Sequence, residues 1–93
     1  MARSIMMNLG VKKCWLCGAE GVVEQHHCMH GTANRKKADE DGLIINLCIR
    51  CHRRLHDKGE CDGQVKSEAQ IRWMDYNMAT EEEWLARYGR SYL

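Results

Sequence analysis

Leu47-Cys48-Ile49-Arg50-Cys51-His52-Arg53-Arg54-Leu55-His56 is the stretch on which the reading of this chain turns. It sets two thiols two residues apart, then two imidazoles four residues apart, with no Gly or Pro between them. A two-residue gap lets both thiolates of a pair reach one ion from a tight turn. Cys14-Trp15-Leu16-Cys17 supplies a second such pair, separated from the first by thirty residues. Two pairs make a tetrahedral four-thiolate site of the kind that holds structural zinc. The competing readings are a thioredoxin-like redox pair and two disulfides. No βαβ pattern surrounds either pair, so zinc at Cys14, Cys17, Cys48 and Cys51 is the expectation.

Length makes such a site matter. A chain of 93 residues buries a thin core and often needs a metal or cross-links to hold it. A structural zinc contributes roughly 10–16 kcal/mol to folding, comparable to the entire stability of an ordinary small domain. The start, Met1-Ala2-Arg3-Ser4-Ile5-Met6-Met7-Asn8, has no long apolar segment or cleavage site of a secretory signal. No apolar run nears the roughly 20 residues that span a bilayer. A soluble cytoplasmic protein is expected. Of the two remaining cysteines, Cys28 is expected to be a small buried residue and Cys61 an exposed thiol.

Working outward, Val22 to His27 reads as a short strand after Gly18 and Gly21, and Leu43 to Leu47 as a second, entered through Asp41-Gly42. The polar segment from Gly31 to Asp41 between them reads as a loop. Cys51 to His56 should be helical up to about Gly59. Farther on, apolar residues at 65, 69, 73 and 76 form one helical stripe. A last helix should begin at Thr80, where Glu83 completes a capping box and the acidic 81–83 run suits a helix N-terminus. Trp84, Leu85 and Tyr88 give that helix a face to bury. With no proline, no linker and no repeat, the chain reads as one domain over 1–93: a zinc-stabilised core at 14–58 and a helical extension at 64–93. The fold class expected is small α+β.

Charge is uneven although the formal net charge is only +1. Residues 1–58 carry ten Lys/Arg against six Asp/Glu, a balance of +4, and residues 59–93 carry four against seven, a balance of −3. All five histidines lie in the basic half. His52 and His56, at i and i+4, stand on one helix face and can chelate one ion. His26 and His27, adjacent on a strand, point to opposite sides. One of the pair can therefore join the helical histidines on a metal while its neighbour stays free to take a proton from water. That division is what phosphodiester hydrolysis requires. A second structural zinc, or plain packing around the first, is the bland alternative for these four residues, and His30 reads as an ordinary hydrogen-bonded histidine.

These motifs resemble the HNH, or His-Me finger, nucleases with a ββα-metal fold. In that family an Asp/His-His motif ends the first strand and a Cys-x-x-Cys-His motif opens the helix, as Glu24-Gln25-His26-His27 and Leu47 to His52 stand here. The resemblance covers residues 14 to 58. It implies a ββα-metal core followed by two C-terminal helices, His27 as general base, and His26 and His52 as ligands of a catalytic divalent ion (Mg2+, Mn2+, Ni2+ or Zn2+). His56 matches the extra helical ligand of the His-rich branch that includes colicin DNases. The tail, with Lys66-Ser67-Glu68-Ala69-Gln70 and Tyr88 to Leu93, is similar to small HNH proteins of bacteriophages. The family's middle asparagine lies nine residues before the motif histidine, which is Leu43 here; Asn46 lies six before it, and Asn34 is the weaker substitute. The resemblance implies DNA as substrate, with a homodimer or a phage assembly partner as further expectations. Arg35, Lys36 and Lys37, with Arg50, Arg53 and Arg54, are the candidates for phosphate contacts. The alternative function is a non-catalytic zinc module that binds nucleic acid or protein.

Overall fold

The computed structural model describes residues 3–93. Its elements run β1 (Val23–His27), α1 (Thr32–Asp41), β2 (Ile44–Cys48), α2 (Ile49–Lys58), α3 (Asp62–Asn77) and α4 (Glu81–Tyr88). The two strands pair antiparallel, with His26 opposite Ile45 and His27 opposite Ile44. The architecture is small α+β, a two-stranded sheet with four helices.

The segment expected to be a loop is helix α1. Residues 32–41 contain no Gly or Pro, and Ala33, Arg35, Lys36, Lys37, Ala38 and Glu40 are good helix formers. The helix gives no periodic signal because only Ala38 on it is buried. Gly42 ends it in a left-handed conformation at φ 76°. A Cβ there would stand 2.9 Å from the Arg3 carbonyl oxygen, and the Gly42 carbonyl accepts from the Ile5 amide at 2.9 Å. Glycine is required twice over at this position, by backbone conformation and by the close approach of the N-terminal segment.

Strand β2 is the centre of the core. Leu43, Ile44, Ile45, Asn46 and Leu47 are all buried, as expected of a strand covered on both faces. Leu55 of α2, Val65, Ala69 and Trp73 of α3, and Trp84 and Tyr88 of α4 join this core. The stripe expected on α3 holds at 65, 69 and 73, but Tyr76 is 60% exposed. Gln70 is buried in its stead, donating to Ser91 Oγ and accepting from the Tyr92 amide. Helix α4 starts where its cap was expected. Thr80 Oγ1 accepts from the Glu83 amide at 3.2 Å, and Glu83 Oε1 accepts from the Thr80 amide at 3.1 Å. Among the described residues no helix is long and apolar enough to cross a membrane.

Candidate metal centre and histidine cleft

Two clusters of metal-ligating side chains flank α2. The first is built by a knuckle and a helix start. Residues 14–18 turn back on themselves through a Gly18 N–H to Cys14 carbonyl bond of 2.9 Å, with Gly18 at φ 79°. The Trp15 amide donates to the Asn46 carbonyl at 2.8 Å, fastening the knuckle to β2. Cys48 is the last residue of β2 and the N-cap of α2, and its sulfur accepts from the Cys51 amide. The four Sγ atoms of Cys14, Cys17, Cys48 and Cys51 lie within 4.8 Å of one another, and Cys17 and Cys48 are 3.8 Å apart. A tetrahedral ion with metal–sulfur bonds of about 2.3 Å spaces its sulfurs about 3.8 Å apart. All six cysteines are free thiols, and this set can hold a structural metal such as zinc.

The electrostatics of the four thiols fit that role. Burial pushes the Cys14 thiol up, but hydrogen bonds from the amides of Cys17, Cys48 and Leu16 act together against it and bring it down to about 6. Cys51 moves the other way, to about 12, through burial and through the hydrogen bonds its proton makes to Cys48, Cys17 and Cys14. Four thiolates so close together would repel each other. A dication removes that repulsion and releases the protons.

The second cluster brings together His26 of β1 with His52 and His56 of α2. One ligand atom from each lies within 4.8 Å of the others. His52 Nε2 and His56 Nε2 are 3.0 Å apart, within the roughly 2.9–3.4 Å expected of two imidazoles bound at about 2.05 Å to one ion. His52 Nδ1 lies 2.9 Å from Glu24 Oε1. A carboxylate there accepts a hydrogen bond from Nδ1–H and leaves Nε2 its lone pair, the usual support of a ligating histidine. Glu24 stands two residues before His26, and nothing in its spacing marks that role. His26 is 3% exposed, and its Nε2 is buried without a hydrogen-bond partner. Burial, reinforced by the neighbouring His52, His30 and His56, lowers its pKa to about 3. A neutral imidazole with an unused nitrogen is suited to a metal.

These residues line an open cleft of about 700 Å3. His27 lines it as well, with its ring turned to α1, where Nε2 lies 3.3 Å from Asp39 Oδ1. Arg35 and Lys36 of α1 also reach the cleft. Arg50, Arg53 and Arg54 line a separate groove along α2, with Arg54 3.9 Å from Glu60. Lys37 is engaged elsewhere, donating to the Arg87 carbonyl at 2.8 Å.

Asn46, opposite Gln25 in the sheet, turns its amide nitrogen to the N-terminal segment. Its Nδ2 donates to the carbonyls of Leu9 at 3.0 Å and Val11 at 3.1 Å, so it ties the N-terminal segment to β2 next to the cysteines. The contacts of its Nδ2 are structural, while its Oδ1 is buried without a hydrogen-bond partner. Its amide nitrogen is committed because β2 is buried on both faces and a buried donor needs an acceptor. Cys28 is fully buried, and burial raises its thiol to about 12, whereas Cys61 is exposed. In comparison with known proteins, no family model, curated protein or solved structure matches the chain.

Proposed function

We propose that the chain is a metal-dependent endonuclease of the HNH (His-Me finger) type that hydrolyses DNA phosphodiester bonds. The observation that carries this reading is the convergence of His26, His52 and His56 at one point of a cleft whose wall also carries His27, outside that group. His26, His52 and His56 fit a divalent ion through one buried unpartnered nitrogen and one nitrogen whose tautomer Glu24 sets. Such an ion, when bound, polarises the scissile phosphate and stabilises the departing oxygen.

The chain's own residues divide the remaining work. His27 takes the proton of the attacking water, and Asp39 holds its ring from α1. Arg35 and Lys36 hold the phosphodiester backbone at the mouth of the cleft without reading its bases. The four cysteines fix the start of α2, and so fix His52 and His56. A supercoiled-plasmid nicking assay with Mg2+, Mn2+, Ni2+ or Zn2+ tests the proposal. Cleavage should be present in the wild type and fall at least about a hundredfold in His27→Ala, the scale of a lost general base. Equal cleavage by His27→Ala, or none by the wild type, rejects it.

The commitment of Asn46 to Leu9 and Val11 favours a second reading, a zinc module that binds nucleic acid or a protein partner without cutting it. Binding of DNA that survives His27→Ala and His52→Ala together, with no cleavage in any metal, would select it.

A further inference from the structure

The histidine cluster is larger than the three residues used so far. His30, on the turn after β1, places its ring centroid 5.5 Å from that of His26 and 6.1 Å from that of His56. Its Nε2 lies 2.8 Å from Oδ1 of Asp62, the first residue of α3. One ligand atom each from His26, His30 and Asp62 lies within 4.8 Å of the others. His26 thus belongs to two triads, and its buried Nε2 has no partner.

We propose that His26, His30 and Asp62 form a second position for a divalent first-row transition-metal ion, used in alternation with His26, His52 and His56. Two imidazoles and one carboxylate are a donor set that such ions accept. The other oxygen of Asp62 is 2.9 Å from Lys66 Nζ, which orients the carboxylate on the first turn of α3. Alternation follows from two facts. His26 has one unpartnered buried nitrogen to give, and two dications a few ångströms apart, whose combined donor sets hold a single carboxylate, Asp62, would repel strongly in a partly desolvated site. An ion in the second position bridges the end of β1 to the start of α3. In the first it bridges β1 to α2. The inference rests on the cation reading of the cleft and not on DNA being its substrate.

Metal counting without any nucleic acid tests it. Protein whose cysteine site has been filled with Zn2+ is freed of excess metal and titrated with Co2+ by calorimetry. The wild type should bind one further Co2+. His52→Ala/His56→Ala should also bind one, and adding Asp62→Asn should abolish it. If the double variant melts normally yet binds none while the wild type binds one, the second position does not exist. Two further ions in the wild type would overturn the alternation. No further ion in the wild type would end the cation reading itself, and this inference with it. Should the double variant not fold, Asp62→Asn alone decides: with the two positions equally strong, removing one halves the Co2+ association constant, and an unchanged affinity overturns the proposal.

Discussion

Two corners of this molecule are held together in opposite ways. At the knuckle, residues 14–18 meet the start of α2 through four sulfurs, with Trp15 and Leu16 only partly buried around them. At the other corner, α3 and α4 close over a fully buried Trp84, whose ring centroid is 5.5 Å from that of Trp73 and 4.2 Å from that of Tyr88. That apolar cluster surrounds one acid. Asp41 accepts from Trp73 Nε1 at 2.9 Å, from Arg87 Nε at 2.6 Å and from the Tyr88 hydroxyl at 2.5 Å. The first corner gathers four thiols that could hold a structural metal such as zinc. The second has area and hydrogen bonds of its own, and it needs none. The candidate site lies beside the cysteine corner, with His52 directly after Cys51 on α2, so a metal at the cysteines would bear on its geometry more than on that of the helical corner.

The sharpest way to break this contrast is to remove the ion. Cys14→Ser, or a strong chelator, should abolish the cooperative thermal transition, because the structural metal is worth roughly 10–16 kcal/mol and the folded state of a small domain has about 5–15 kcal/mol in hand. Circular dichroism with and without chelator reads the result. A normal transition in Cys14→Ser would mean that the knuckle stands on its packing, and the contrast would fail. Next in size is Asp41→Asn, which removes a charge-assisted partner from Arg87 and weakens two further acceptor contacts. A loss of about 2 kcal/mol is expected, on the scale of hydrogen bonds to charged groups, with zinc content unchanged. Loss of zinc in Asp41→Asn would show that the corners are one cooperative unit.

The two corners also differed in how far they could be read from the chain. Cys14, Cys17, Cys48 and Cys51 announce themselves because ligand chemistry fixes their spacing, and His52 and His56 because a helix fixes theirs. The capping box at Thr80 is equally local. Helix α1 has the sequence of a loop because it buries only Ala38 and so carries no periodicity. The Asp41 hub joins residues 32 to 47 positions apart, and no local pattern encodes such a meeting. The same holds for Glu24 behind His52, 28 positions away, and for Asp39 facing His27. Asn46 shows a different limit. Its residue type matched an expected role, and only the burial of β2 on both faces determined that its amide would serve Leu9 and Val11.

The smallest effect sharpens the comparison most, because it falls on a feature with no bearing on metal. Thr80 Oγ1 and Glu83 exchange hydrogen bonds at the start of α4, and no described ligand cluster lies near them in sequence. Thr80→Ala removes the acceptor for the Glu83 amide and should cost about 1 kcal/mol, while Thr80→Ser keeps it and should cost much less. Measured in urea on zinc-loaded protein, both variants should shift the midpoint and keep the slope, since neither changes the surface exposed on unfolding. A change of slope in Thr80→Ala would mean that α4 unfolds separately from the sheet. In that case the hydrogen bonds from Arg87 and Tyr88 to Asp41 do not couple α4 to α1, and the helical corner is a weaker structure than its buried tryptophan implies.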